Sequence, residues 1–179
     1  MMNAAHPYAQ ALYTLAQEED RCRSVLDQMG MLNDVFEKEP EFLRLLASAK
    51  LSKQERCQIL DETFRGKIHP YLLNFLKVLS SEGVILYFSD CVRFFARCYY
   101  ADNHILQVLA YTAQSLTEQQ LRRLEEKIRL ITGKTVILEN RIDADCLGGV
   151  RLCYDGKQVD GTVKKQLETV GSMLKNTLL

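Results

Sequence analysis

Tryptophan is absent from this chain of 179 residues, proline occurs only 3 times and glycine 9 times. So few chain breakers exclude collagen-like and linker-rich architectures. A membrane-spanning run is missing as well. A bilayer needs about 20 mostly apolar residues, and the most apolar stretch, Val84 to Phe88, runs into Ser89 and Asp90. The start, Met1-Met2-Asn3-Ala4-Ala5-His6-Pro7, has no Lys or Arg ahead of an apolar core, so no secretory signal is expected. Neither sign of charge dominates: Lys+Arg and Asp+Glu are 23 each, for a formal net charge of zero. That argues against a dedicated nucleic-acid binder, whose affinity comes largely from excess positive charge. The six cysteines (Cys22, Cys57, Cys91, Cys98, Cys146, Cys153) form no C-x-x-C pair. They read as buried thiols of a reducing compartment and not as a disulfide framework.

What is present is a folded globular mix, 47% hydrophobic and 26% charged. The length allows one domain or two small ones. The first hundred residues carry helical periodicity. Pro7 can open a helix, along which Tyr8, Ala11, Leu12 and Leu15 recur until Glu18-Glu19-Asp20. Val25, Met29, Leu32 and Phe36 mark a second helix that Pro40 must break. Phe42, Leu45 and Leu46 form a short third one. Ser52-Lys53-Gln54-Glu55 is a capping box opening a fourth, with Cys57, Leu60 and Phe64, before Gly66. Pro70 starts a fifth with Leu72, Phe75, Leu76 and Leu79, stopped at Gly83. A sixth carries two stripes, Phe88-Val92-Phe95-Tyr99 and Cys91-Phe94-Cys98, and is expected to be central.

After Asp102-Asn103-His104 the period changes. Ile105 to Tyr111 is β-prone. Thr117 and Gln120 make a second capping box, with Leu116 and Leu121 at the spacing of a hydrophobic staple. The helix they open carries Leu121, Leu124, Ile128 and Ile131 and ends at Gly133. Thr135 to Glu139 reads as a strand. Val150, Leu152 and Tyr154 alternate with Arg151 and Cys153, and Asp155-Gly156 turns that strand back into Lys157 to Asp160. A final helix with Val163, Leu167, Val170, Leu174 and Leu178 closes the chain. The expected fold is therefore an N-terminal all-α six-helix bundle followed by a small α/β domain of β-α-β-β-β-α order. The boundary is placed between residues 103 and 104. Charge barely differs across it: 12 basic and 14 acidic residues in 1–103, 11 and 9 in 104–179.

Motifs for chemistry are sparse. Thr132-Gly133-Lys134-Thr135 looks like the end of a phosphate loop, but Ile128 stands where the first glycine belongs, and a helix leads into a strand. It reads as a glycine helix stop. Leu147-Gly148-Gly149-Val150 lacks the three-glycine dinucleotide fingerprint and opens a strand, so its glycines read as a tight entry. Cys146 and Cys153 are not at zinc-ligand spacing. His6, His69 and His104 have no Cys or Ser partner nearby in sequence. Arg122, Arg123, Lys127 and Arg129 interleave with Glu118, Glu125 and Glu126 and read as an ion-paired helix face. No catalytic residue, metal ligand or cofactor is expected. Two rivals stand beside a binding role. A helical RNA-binding protein of the antitermination type predicts a basic face and steep salt dependence. A cysteine-nucleophile enzyme predicts one thiol of depressed pKa.

One set of residues goes further than periodicity. Pro7-Tyr8-Ala9-Gln10-Ala11-Leu12-Tyr13, Glu39-Pro40-Glu41, Leu51-Ser52 with Ile59-Leu60, and Phe75-Leu76-Lys77-Val78-Leu79 before Gly83 occur in this order. They are followed by Gly133-Lys134-Thr135-Val136, Ile142-Asp143, Leu147-Gly148-Gly149-Val150 and Asp160-Gly161-Thr162-Val163 with Leu167. The ordered set resembles the delta subunit family of the rotary ATP synthase, whose mitochondrial counterpart is the oligomycin-sensitivity-conferring protein. Val84, Thr162 and His6 depart from residues common in that family. The resemblance implies a non-catalytic stator subunit, peripheral on the cytoplasmic face of the membrane. Residues 1–103 would bind the N-terminal tails of alpha subunits and touch beta subunits of the catalytic head. Residues 104–179 would bind the b subunits of the peripheral stalk. Neither nucleic acid nor direct membrane insertion is implied. Helices one and five, as the family implies, with faces taken from periodicity, give Tyr8, Ala9, Leu12, Leu15, Leu72, Phe75, Leu76 and Leu79 as the expected tail site. Val170, Leu174 and Leu178 are the expected stalk contacts.

Overall fold

The computed structural model describes residues 5–144, 146 and 148–162. The expected final helix, with Val163, Leu167, Val170, Leu174 and Leu178, lies outside the described residues. The element order is α1 (His6–Glu18), α2 (Cys22–Lys38), α3 (Pro40–Ala47), α4 (Lys53–Phe64), α5 (Pro70–Ser81), a 3-10 turn (Ile85–Tyr87), α6 (Phe88–Asp102), β1 (Ile105–Thr112), α7 (Glu118–Thr132), β2 (Thr135–Ile142), β3 (Val150–Tyr154) and β4 (Lys157–Asp160). A helical N-terminal part and an α/β C-terminal part are both present. The chain divides into two compact units, Met1–Tyr99 and Tyr100–Leu179, with the division in the last turn of α6.

In the first unit the three prolines stand in the first turns of α1, α3 and α5, where their missing N–H removes no helical bond. Ser52 caps α4 reciprocally with Glu55: the Glu55 N–H donates to Ser52 Oγ (3.2 Å), and the Ser52 N–H donates to Glu55 Oε2 (2.7 Å). The Ser52 N–H, with the Ser52 hydroxyl adding to it, holds the Glu55 carboxyl below its ordinary value. The core is organised around rings. Phe36 of α2 meets Phe42 of α3 at 6.1 Å, Phe64 of α4 at 6.3 Å and Phe88 of α6 at 5.1 Å. Phe75 of α5 meets Phe88 at 6.4 Å, and Tyr13 of α1 meets Phe95 of α6 at 5.1 Å. Each pair contributes about 0.5–1.5 kcal/mol beyond the area it buries.

Periodicity does not foresee Arg56. Its side chain is buried, and Nη1 donates to the carbonyls of Leu46 (3.3 Å) and Ser80 (2.8 Å), in the last turns of α3 and α5. A cation thus sits at the negative ends of two helices. Ser80 Oγ donates to the same Leu46 carbonyl (3.0 Å), and Arg56 Nε is buried without a partner. Leu45, expected in an apolar face, is exposed. The expected central helix, α6, buries Phe88 and Phe95 of its first stripe and Cys91 of its second, while Val92, Tyr99, Phe94 and Cys98 are half-buried.

The second unit is a four-stranded mixed sheet of order β2-β1-β3-β4. β1 and β2 run parallel, Ile105 opposite Thr135 through Thr112 opposite Ile142, so β2 extends past the expected Glu139. β1–β3 and β3–β4 are antiparallel. Leu106, Val108, Val136 and Ile128 of α7 form the core, with Leu124, Leu138, Leu152 and Tyr154 packed against it. Leu109, Tyr111, Arg151 and Cys153 belong to the opposite face, since strand neighbours alternate. The capping box of Thr117 and Gln120 forms, as does the tight Asp155-Gly156 turn, with φ of 46° and 70°. Asn140 holds the β1–α7 loop: its amide donates to the Ala110 carbonyl (2.9 Å) and Thr112 Oγ1 (2.8 Å) and accepts from the Leu116 N–H (2.8 Å).

Candidate interaction surface on the helical unit

The expected tail site resolves into two groups. Ala9, Leu12, Leu72, Phe75, Leu76 and Leu79 are buried in the helical core. They cannot meet a partner while the helices stay packed. Tyr8 is half-buried and Leu15 is 44% exposed. Val170, Leu174 and Leu178 lie outside the described residues. The physical reason is simple. Periodicity finds the most apolar face of a helix, and in a small unit that face is consumed by the core.

What remains at the surface is the flank beside that face. At 100° per residue, Tyr8, Ala11 and Leu15 lie on one side of the buried line of α1 and Glu19 continues them. Tyr71, Asn74 and Val78 lie likewise on α5. The two flanks meet: Tyr71 Oη donates to Glu19 Oε1 at 2.5 Å. That bond raises the Tyr71 pKa, with the Glu19 charge adding to it. Val78 is 41% exposed. The opposite flank of α5 is closed by α4, because Lys77 Nζ pairs with Asp61 Oδ2 at 2.7 Å. The Lys77 bond is the main reason the Asp61 carboxyl titrates below its ordinary value. The start of α5 is fixed by His69, whose Nδ1 accepts from the Tyr71 backbone N–H (3.4 Å) while the His69 backbone N–H donates to Gln28 Oε1 (2.7 Å). The result is a shallow strip along the α1–α5 seam. It holds the half-buried rings of Tyr8 and Tyr71, the exposed Leu15 and Val78 with the polar Asn74 beside them, and the acidic run Glu18-Glu19-Asp20 at the end of α1.

The motifs that suggested chemistry have structural roles. Gly133 has φ of 67°, and its N–H closes α7 onto the Arg129 carbonyl at 2.8 Å. Gly149, at φ of 82°, passes so close to residue 161 that a Cβ would lie 2.4 Å from the Gly161 carbonyl oxygen. His6 stacks on Phe94 at 5.0 Å, His69 caps α5, and the His104 carbonyl accepts from the Thr135 N–H. Among the described residues no three His, Cys, Asp or Glu side chains group as metal ligands, and no helix is long and apolar enough to cross a membrane. Burial pushes the Cys91 thiol up to about 12, the reverse of an activated nucleophile.

Comparisons with known proteins agree across the chain. The family profile described as "ATP synthase delta (OSCP) subunit" matches residues 4–174. The ATP synthase subunit delta of Alkaliphilus oremlandii is 30% identical over 172 residues, covering 96% of each chain. That of Clostridioides difficile is 29% identical over 175 residues, covering 97% of each. That of Crocosphaera subtropica is 30% identical over 172 residues, 95% of this chain and 92% of its own. Among solved structures, a chain of the Toxoplasma gondii mitochondrial ATP synthase hexamer superposes with a TM-score of 0.73. It is 16% identical and covers 97% of this chain and 98% of its own.

Proposed function

The chain belongs to the ATP synthase delta (OSCP) subunit family, and on that premise we propose that it is a stator link between the catalytic head and the peripheral stalk. It is a non-catalytic, structural subunit of the complex that carries out ATP synthesis and proton transport. Its work in the proposed role is mechanical: the alpha and beta subunits must not turn with the rotor. The helical unit binds alpha-subunit N-terminal tails along the α1–α5 strip, through Tyr8, Leu15, Tyr71 and Val78, and the beta subunits add contacts. The C-terminal unit binds the b subunits, with Val170, Leu174 and Leu178 as stalk contacts. In the proposed role the chain is peripheral, on the cytoplasmic face of the membrane.

The observation that carries this reading is the exposed aliphatic strip beside a fully packed core, in a chain matched to the family over nearly its whole length. Its magnitude sets the kind of attachment. Four apolar anchors buried at roughly 2 kcal/mol each give about 8 kcal/mol gross. Ordering a free tail costs about 2–5 kcal/mol. The remaining 3–6 kcal/mol corresponds to roughly millimolar binding or slightly tighter. Holding the head therefore takes further head contacts and avidity from the stalk.

The test is NMR titration of the full chain with a peptide of the alpha-subunit N-terminus from the same genome. Amides around Tyr8, Leu15, Tyr71 and Val78 should shift, with saturation in the millimolar range, and the shifts should vanish in Leu15→Asp and Val78→Asp. Shifts that survive both substitutions would move the site off the strip. A folded chain that responds neither to peptide nor to assembled head would overturn the proposal. Sub-nanomolar binding of the isolated peptide would contradict the energetic argument.

A further inference from the structure

The sheet closes at β2 with a row of outward backbone groups. Among the described residues no strand lies beyond β2. The Thr135 N–H donates to the His104 carbonyl (3.0 Å), and the Asp143 N–H donates to the Thr112 carbonyl (2.9 Å). The odd-numbered residues of β2 therefore turn their N–H and C=O groups toward β1, while Val136, Leu138, Asn140 and Ile142 turn theirs outward. Side chains alternate between the two faces. Leu138 and Ile142 stand on the face of α7, and Ile137, Glu139 and Arg141 stand on the other. Glu139 and Arg141 are exposed and pair with each other at 2.8 Å, and Ile142 is 67% exposed.

We propose that β2 pairs antiparallel with β2 of a second copy of this chain, about a two-fold axis through Asn140. The inference stands on the geometry of the sheet and does not use the stator role. An axis perpendicular to the sheet keeps each face continuous, so even residues meet even ones and odd residues meet odd ones. Centred on Asn140, Leu138 faces Ile142 of the second copy and Asn140 faces its own equivalent. These are the outward residues, so each facing pair exchanges two N–H···O bonds. Glu139 then faces Arg141 of the second copy at the non-hydrogen-bonded position, where Cα atoms are about 4.5 Å apart and side chains are closest. The reciprocal pair forms as well, so each carboxylate has one cation on its own strand and another across from it. Moving the axis by one residue sets Glu139 against Glu139 or Arg141 against Arg141, and like charges directly opposite are destabilising. Moving it to Leu138 sets Ile137 against Glu139. The strand is thus complementary to itself in the Asn140 register. The facing stretch, Leu138 to Ile142, buries less than the roughly 1,200 Å² of stable interfaces, so the pair is weak, with a dissociation constant of roughly 0.1–1 mM. In dilute solution most copies keep the border of the sheet open.

The experiment follows the purified full chain, at concentrations on both sides of that value, by sedimentation velocity and by amide hydrogen exchange resolved by residue. The mass should double reversibly. The amides of Leu138, Asn140 and Ile142 should gain protection with concentration, while those of Ile137, Glu139 and Arg141 stay protected throughout. Glu139→Arg and Arg141→Glu should each weaken the pair at least fivefold, and the two together should restore it to within about twofold. Ile142→Pro removes an outward N–H and spares the ladder to β1, and it should weaken the pair at least tenfold. All three positions are exposed, so an unchanged circular dichroism melt verifies folding, and the charge exchange decides alone if the proline variant does not fold. A chain that stays monomeric at the highest concentration, protection gained only at other amides, or a double exchange that fails to restore pairing would overturn the inference and leave the stator reading untouched.

Discussion

Replacing Arg56 with methionine tests whether a buried cation at two helix ends stabilises the helical unit. Arg56→Met keeps the apolar stem and removes the donor. Two bonds from a charged donor, to Leu46 and Ser80, are worth about 1.5–3 kcal/mol each. The Leu46 carbonyl retains the Ser80 hydroxyl as donor, so only the Ser80 carbonyl loses its side-chain partner. Against this, the substitution removes a buried charge and the unpartnered Nε, relieving about 1–3 kcal/mol of desolvation. The expected net loss is about 2 kcal/mol. With two units, a global melt would mix their transitions. The buried Cys91 reports on the helical unit alone. Its alkylation under native conditions, read by peptide mass spectrometry, should be about 30-fold faster in Arg56→Met, the factor for 2 kcal/mol. Arg56→Ala, which also leaves a cavity, should exceed that. An unchanged or slower rate in Arg56→Met would refute the reasoning and show that the desolvation of the guanidinium outweighs its bonds.

Other outcomes follow from the same geometry. Phe36→Ala removes three ring contacts at once and should cost about 3–5 kcal/mol, speeding Cys91 labelling by roughly 160- to 5,000-fold. Thr117→Ala removes a helix cap in the other unit and should cost about 1 kcal/mol. It should speed labelling of the buried Cys146 roughly fivefold and leave Cys91 unchanged. Alkali should unfold the helical unit through Cys91. The unfolded thiol ionises near 9.0 and the folded one at about 12, so stability present below pH 9 is lost between those values, by at most about 4 kcal/mol. Cys91→Ala should flatten that alkaline arm in a circular dichroism titration. Asp61 works in the opposite direction. Its lowered carboxyl adds stability above the ordinary value of 3.8 that is lost as pH falls through the folded value, and Lys77→Met should move its NMR titration back toward 3.8.

Helix and strand placement was largely legible because local signals agreed with the fold. Both capping boxes form, the prolines open helices, and Asp155-Gly156 makes its turn. Burial was legible only where one stripe sufficed. Leu15 and Leu12 look equivalent by period, yet one is exposed and the other is core, because the position of α5 decides which flank of α1 is covered. Arg56 was invisible for a related reason: its partners, Leu46 and Ser80, lie 10 and 24 residues away and are backbone atoms with no sequence signature. The same holds for α7: a mixed run of charges shows which ions are present, but only the helix geometry pairs Arg122 with Glu118, at 3.7 Å.

The strand order has a consequence for the life of the subunit before assembly. Among the described residues β2 forms one border of the sheet and is eight residues long, twice the length of β4 at the other border. Outer strands offer open backbone groups to any passing chain, and proteins usually blunt them by brevity or charge. β4 is short, begins with Lys157 and ends with Asp160, and is protected in both ways. β2 is long and carries exposed Ile137 and Ile142, with only the Glu139–Arg141 pair as a gatekeeper between them. Copies made in excess of the complex should therefore be lost first by edge-to-edge aggregation along β2. Balanced expression with the other subunits then acts as a solubility requirement of this one.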